Sequence, residues 1–272
     1  MMIQCDDSYS NSKPAALITG ASSGTGLELA KIFARNGYNL VLVARSYDKL
    51  KTFSNELEKN NNIQVKYCAK DLAVSSTPDE IYESIKSEML EIDVLVNNAG
   101  FGWLGEFARM ELADALEMIQ VNVTALTHLT RLFLPEMIKR KRGKILNVAS
   151  TAAFQPGPLM AAYYASKAYV LSFSQALSEE VRGTGVTITA LCPGPTPTNF
   201  GNRAGFGDKK ILGGKLSMDA QTVALDGYKG LIKGKPIVIS GRLNWFGTQI
   251  IRFLPRSIPG KLVKRIQQKR VK

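Results

Sequence analysis

Thr19-Gly20-Ala21-Ser22-Ser23-Gly24-Thr25-Gly26 joins an apolar run, Ala15–Thr19, to an amphipathic stretch over residues 24–36. Leu27, Ala30, Phe33 and Ala34 share one face of that stretch, and Gly37 supplies a stop, so it reads as a helix. A glycine-rich turn between a buried strand and a helix is a phosphate cradle in waiting. Gly20 permits the tight turn, Gly24 admits a pyrophosphate to the backbone, and Gly26 lets helix and strand pack closely. The helix N-terminus adds free N–H groups and the positive end of a dipole. Gly20, Ser22, Ser23, Gly24 and Gly26 are therefore the candidate phosphate contacts. The spacing is G-x-x-x-G-x-G, and a merely packed glycine turn is the alternative for the cluster taken alone.

Outward from this turn, apolar runs and amphipathic stretches alternate. Strands are expected at Asn39–Ala44 and at residues 63–68, 93–96, 144–148, 186–191 and 236–239. Helices are expected over 47–59, 77–90, 112–140 (one or two) and 162–182. Thr77-Pro78-Asp79-Glu80 reads as a capping box with Pro at the first helical position. Strands apolar throughout are buried on both faces, and helices between them imply a doubly wound parallel sheet of about seven strands, the Rossmann-type α/β class. Ligands in such a sheet bind beyond the C-terminal strand ends. The expected division is a loose arm over 1–13, the α/β domain over 14–240 and an extension over 241–272.

Composition narrows the function. With 45% hydrophobic and 21% charged residues, the 272-residue chain can fill a globular core and is not disordered. No run of 18 apolar residues occurs, so no transmembrane helix is expected, and the first 13 residues do not read as a secretory signal. Cys5, Cys68 and Cys192 suit a reducing cytosol better than a disulfide framework. One histidine, His128, and scattered cysteines leave no zinc cluster, so no metal is expected. His128 reads as structural.

After the second strand the chain runs Val43-Ala44-Arg45-Ser46. An acid there would hold the ribose 2′-OH of NAD; instead Arg45 offers a guanidinium that matches the 2′-phosphate of NADP. A solvated surface arginine is the alternative.

Four further segments carry a family resemblance: Asn97-Asn98-Ala99-Gly100, Val121-Asn122-Val123, Ser150, and Tyr163-Tyr164-Ala165-Ser166-Lys167. With the glycine turn, they resemble the short-chain dehydrogenase/reductase family over roughly residues 15–239. The resemblance implies a nicotinamide cofactor, NADP(H) given Arg45, and hydride exchange with a small-molecule carbonyl or alcohol. It implies the catalytic set Asn122, Ser150, Tyr163 and Lys167. The family's Tyr-x-x-x-Lys pattern selects Tyr163 over Tyr164, and Ser150 stands at the family's usual separation from Tyr163. On a helix, residues i and i+4 share a face, so Lys167 can lie beneath the phenol, and its ammonium together with the nicotinamide's positive charge is expected to lower the phenol's ordinary pKa of about 10. Asn122 is implied to hold a water that relays protons to Lys167. Also implied are an adenine clamp at Asp71 and Leu72, adenosine-side walls at Asn98, Ala99 and Gly100, and ribose contacts from Lys167 and Tyr163. Pro193, Gly194, Thr196 and Thr198 are implied near the carboxamide and phosphates. A non-catalytic dinucleotide sensor or scaffold, docked through its tail, is the alternative function.

Substrate walls are expected from Phe101, Trp103, Phe154, Leu159, Met160 and Phe206, which favour an apolar substrate, with residues 199–218 as a lid. The charge is lopsided. Lys plus Arg is 35 against 23 Asp plus Glu, yet 12 of those cations and no acid fall between Gly227 and Lys272. A basic tail suggests a local docking surface rather than general polyanion binding. Apolar Trp245, Phe246, Ile250, Ile251 and Phe253 stand near Lys261, Lys264, Arg265 and Lys269. That composition suits an anionic membrane surface; packing on the catalytic domain, over the pocket or at a dimer contact is the other reading. No nucleic-acid motif accompanies the basic residues. The expected location is cytoplasmic, with membrane association as the variant, and a homodimer or homotetramer is compatible with the resemblance.

Overall fold

The computed structural model describes residues 13–197, 217–255 and 257–271. Its centre is a sheet of parallel strands β1 (Ala15–Thr19), β2 (Asn39–Ala44), β3 (Val65–Ala69), β4 (Val94–Asn97), β5 (Gly143–Val148), β6 (Val186–Cys192) and β7 (Ile237–Ile239). Their order across the sheet is β3-β2-β1-β4-β5-β6-β7. The chain works outward from β1 to β3, then returns to the other side of β1, which opens a crevice at the carboxyl ends of β1 and β4.

Every residue of β1 and β2 is buried, as their unbroken apolar runs require. The pleat divides them between two layers. Ala16, Ile18, Leu40 and Leu42 join Leu29 and Phe33 of α1 (Gly24–Arg35), Leu50 of α2 (Tyr47–Asn61) and Leu231. Ala15, Leu17, Val41 and Leu95 face the other way, toward Ile81 and Ile85 of α3 (Thr77–Ser87) and residues 112–139. Such dual burial is possible only with helices on both faces.

One expectation needs correction. The Thr77 hydroxyl does not cap α3; it donates to the Asp71 carbonyl at 2.7 Å. Ser76 occupies the N-cap position, and its hydroxyl bonds the Glu80 carboxylate at 2.7 Å. A bond back to the preceding loop has won over a bond within the helix. The stretch from 112 is α4 (Leu112–Ile119), a π-helical turn (Gln120–Thr124) and α5 (Ala125–Lys139), running on without an intervening loop. Pro135 lies inside α5.

Beyond β5 come α6 (Ala161–Glu180), then α7 (Ala220–Ile232), and after β7 two helices, α8 (Arg242–Phe253) and α9 (Ser257–Val271). Asn244 and Thr248 of α8, and Val263 and Gln267 of α9, are buried. Cys68 and Cys192 are buried, and His128 Nε2 lies 3.1 Å from the Asp79 carboxylate at the surface. Among the described residues no helix is long and apolar enough to cross a membrane, and no group of side chains could hold a metal.

Candidate active site

The glycine turn is braced from behind by residues that the turn sequence alone does not reveal. The Thr19 hydroxyl accepts the backbone N–H groups of Asn98 (3.0 Å) and Ala99 (3.1 Å). In return, the Asn98 side-chain amide donates to the carbonyls of Thr19 (2.9 Å) and Gly20 (3.2 Å). The end of β4 thus clamps the end of β1. Gly20 and Gly24 both adopt positive φ, +66° and +57°, which β-carbons disfavour. A Cβ at Gly26 would lie 2.3 Å from the Gly20 carbonyl oxygen, so close packing of α1 on the turn excludes any side chain there. Ser23, at the α1 N-cap, makes no side-chain cap, which leaves the first-turn amides to other acceptors.

The turn forms one end of a cavity of about 810 Å³ that runs along the carboxyl ends of β1 to β6. Arg45, Lys49 and Lys70 give this end a basic wall. Arg45 is more than half exposed and comes within 4.0 Å of the Asp71 carboxylate, a weak, solvent-screened pairing. Asp71 is itself anchored, accepting the Ala73 N–H at 3.0 Å. Leu72, Asn98, Ala99 and Gly100 continue the lining. Left-handed glycines, uncapped helix amides and a basic rim are the donor set that a dinucleotide phosphate requires.

At the other end, Ser150, Tyr163 and Lys167 converge. Ser150 lies two residues beyond β5 and is held by the Ala152 N–H (3.1 Å) and by its own bond to the Pro193 carbonyl (3.4 Å). Tyr163 and Lys167 come from the first turns of α6, one helical turn apart. Lys167 Nζ is buried, donates to the Val148 carbonyl at 2.8 Å, and lies 5.9 Å from the centre of the Tyr163 ring. Among the protein's own groups the balance on the phenol runs upward; the expected lowering draws also on the positive charge of a bound nicotinamide. Burial pushes the Tyr163 phenol up to about 12, against a smaller downward pull from the Ser150 hydrogen bond. Burial likewise brings the Lys167 ammonium down to about 8. Desolvation acts on both groups at once and exceeds what the ammonium, committed to Val148, returns to the phenol.

Asn122 sits in the π-helical turn and is buried. Its Oδ1 accepts the Phe101 N–H (3.0 Å), and its amide donates to the Phe101 carbonyl (2.9 Å) and the Ser166 hydroxyl (3.1 Å). Both amide hydrogens are used, so a relay water could bind Asn122 only at an acceptor. A Cβ on Gly100 would fall 3.0 Å from Asn122 Oδ1 and 3.3 Å from Lys167 Nζ. Glycine at 100 therefore keeps open the gap between the two groups.

Pro193, Gly194 and Thr196 line the cavity, with the Thr196 hydroxyl turned back to the Gly194 carbonyl (3.0 Å); Thr198 and Phe206 lie outside the described residues, as does most of the expected lid. Of the expected apolar walls, Phe101 and Met160 line the cavity. Trp103 and Phe154 instead pack on the core, because each finds apolar partners in the sheet-flanking layers; Leu159 sits in a turn at φ +67° and also does not line it. Tyr164 does line it, its ring lying where a Cβ on Gly157 would be 2.1 Å away. The C-terminal helices contribute Leu243, Gly247, Ile251, Val263, Ile266 and Gln267. An inward-facing apolar row in α8 and α9 was the available signal for these.

A doubly wound parallel sheet, a glycine turn beside its crossover crevice, and a Tyr-Lys-Ser group in the same crevice are the architecture of a Rossmann-type oxidoreductase. The profile of the short chain dehydrogenase family matches residues 14–205, and the chain belongs to that family. Over 184 residues it is 37% identical to the very-long-chain 3-oxoacyl-CoA reductase of Rattus norvegicus. Over 182 residues it is 38% identical to 17-beta-hydroxysteroid dehydrogenase type 3 of Mus musculus. Each match takes in 65% of this chain and 58% of the relative, so the chain spans less than two thirds of these curated relatives. Its structure is similar to that of a short-chain dehydrogenase from Sphingobium yanoikuyae in complex with NADPH, with a TM-score of 0.78, 28% identity, and coverage of 90% of this chain and 97% of that one.

Proposed function

We propose that the protein is an NADP(H)-dependent oxidoreductase acting on the carbonyl or alcohol of an apolar substrate of acyl, lipid or steroid-like character, with Tyr163 as the proton donor and acceptor. The observation that carries this reading is the single cavity that has a basic, glycine-lined end and, at its other end, Ser150, Tyr163 and Lys167. In this reading Gly20, Ser22, Ser23 and Gly24 hold the pyrophosphate, with Gly26 keeping α1 close behind them. Arg45 takes the 2′-phosphate, Asp71 and Leu72 flank the adenine, and Asn98, Ala99 and Gly100 wall the adenosine. Lys167 and Tyr163 take the nicotinamide ribose, and Pro193, Gly194, Thr196 and Thr198 the carboxamide side. Bound there, the nicotinamide supplies or accepts the hydride.

The chain's own residues handle the proton. Ser150 donates a hydrogen bond to the substrate oxygen and fixes it beside the phenol. Tyr163 passes its proton to that oxygen in reduction, and burial keeps the phenol protonated and ready for this role. Lys167, nearby and able to titrate close to neutrality, restores the proton, with Asn122 holding the relay water. The apolar lining from Phe101, Met160, Ile251, Val263 and Ile266 supports a hydrophobic substrate, as do the 3-oxoacyl-CoA and hydroxysteroid activities named for the rat and mouse relatives. The test is NADPH and NADH oxidation against a carbonyl panel holding 3-oxoacyl-CoA esters, ketosteroids, bulky aryl ketones and sugars. Turnover of apolar members with NADPH is expected. Turnover confined to sugars, or none with any member despite NADPH binding, would overturn the reading.

A further inference from the structure

The cavity does not account for the outer faces of α8 and α9. Along α8, Asn244, Gly247, Thr248 and Ile251 turn inward, toward the cavity. Phe246, Ile250 and Phe253, spaced at helical repeats, turn outward, with half-exposed Leu243 at the cavity's edge. Phe253 is 87% exposed, Ile250 59% and Phe246 53%, and Trp245 packs edge-on against Phe246 with ring centres 5.0 Å apart. Helix α9 is laid out in three parallel rows of i, i+4, i+8. Pro259, Val263 and Gln267 are buried; Ile258 and Leu262 form an exposed apolar row that ends in Ile266 at the cavity's edge; Lys261, Arg265 and Lys269 form an exposed cationic one. Arg242, Arg252 and Lys264 add to the positive charge, and no acid occurs after Asp226.

Large apolar side chains fringed by cations, in a segment whose sequence holds no acid, do not make a solvated face. Aromatic anchors beside a one-sign fringe match a single partner chemistry: a surface that is apolar beneath and anionic above. We propose that α8 and α9 dock the protein on an anionic lipid bilayer, their outer faces entering the headgroup region while their inner faces wall the cavity. The same two helices then lie between membrane and cavity, placing the cavity's apolar wall next to the lipid. Docking is independent of the oxidoreductase reading, because none of the outward residues named for substitution below lines the cavity.

The experiment is co-sedimentation of the full chain with vesicles of phosphatidylcholine alone or mixed with phosphatidylglycerol, at low and high salt. Reduction of a water-soluble ketone without vesicles is followed in parallel. Binding should require phosphatidylglycerol and weaken with salt. Lys261→Gln with Arg265→Gln should lower partitioning roughly 30-fold. Phe246→Ser with Phe253→Ser should abolish binding while solution activity and circular dichroism are unchanged. A wild-type protein left in the supernatant with anionic vesicles at low salt would overturn the proposal. So would serine variants that bind like wild type, or an outer face found buried in a stable homodimer that does not bind vesicles. Loss of activity with binding retained would instead count against the oxidoreductase reading alone.

Discussion

Tyr163 and Tyr164 are adjacent, yet the proposed mechanism gives them opposite sensitivities to loss of a hydroxyl. Tyr163→Phe removes the phenol oxygen that bonds Ser150 and little volume. Ser150 keeps the Ala152 N–H at 3.1 Å and the Pro193 carbonyl at 3.4 Å, so no buried group is stranded and the fold should lose no more than about 1 kcal/mol. Turnover loses its proton donor. General acid catalysis contributes about 10²–10⁴-fold, or roughly 3–5 kcal/mol at the transition state, and kcat/KM should fall by that factor. The Tyr164 hydroxyl, by contrast, meets the Gln267 amide at a long 3.4 Å, and its ring packs against Gly157. Tyr164→Phe keeps the ring and should cost less than about tenfold. The assay is NADPH-dependent reduction of the best ketone from the panel, with NADPH affinity by fluorescence and stability by urea titration. A Tyr164→Phe enzyme that is dead beside a Tyr163→Phe enzyme of normal kcat/KM would refute the assignment. So would a Tyr163→Phe protein whose lost activity is explained by lost NADPH binding.

Three further outcomes are expected. Wild type should prefer NADPH to NADH by roughly tenfold to a hundredfold, the worth of one charge-assisted contact, and Ala44→Asp with Arg45→Ala should reverse this; equal kcat/KM for both cofactors would remove Arg45 from the site. Gly26→Ala drives a Cβ to 2.3 Å from the Gly20 carbonyl and 2.4 Å from the Asn98 amide, and should destabilise by about 1–3 kcal/mol and weaken NADPH binding; an unchanged urea midpoint would contradict the close packing. Lys167 titrates near 8 in the fold against about 10.4 unfolded, so between these values the unfolded chain holds a proton that the fold has shed. Wild-type stability relative to Lys167→Met should therefore rise from pH 7 to pH 10; a difference independent of pH would mean that the ammonium is not desolvated.

What sequence alone could and could not deliver follows from the range of the forces involved. The buried strands were legible because a run such as Leu40-Val41-Leu42-Val43 leaves no polar face, whatever surrounds it; β1 and β2 match to the residue. The glycine turn was legible for the same local reason: Gly20 and Gly24 sit at positive φ. The hydrogen bonds that hold this turn were not, because Thr19 and Asn98 are some 80 positions apart and only the β1–β4 pairing brings them together. Thr77 misled because a hydroxyl at a helix start has two acceptable partners, and the carbonyl of Asp71 lay nearer. The ionisation of Tyr163 depends on more than spacing. Spacing places a lysine beneath a phenol, and that charge with a bound nicotinamide's predicts a lowered pKa; burial, invisible at two positions in one helix, acts on both groups and pulls the phenol the other way. A motif therefore reports which groups meet, while the direction of their titration belongs to the depth at which the fold places them. The same holds at the C-terminus. The i, i+4, i+8 spacing of Ile258, Leu262 and Ile266 announces a helix, but only its packing shows that Val263, Ile266 and Gln267 reach the cavity while Ile258 and Leu262 stay outside.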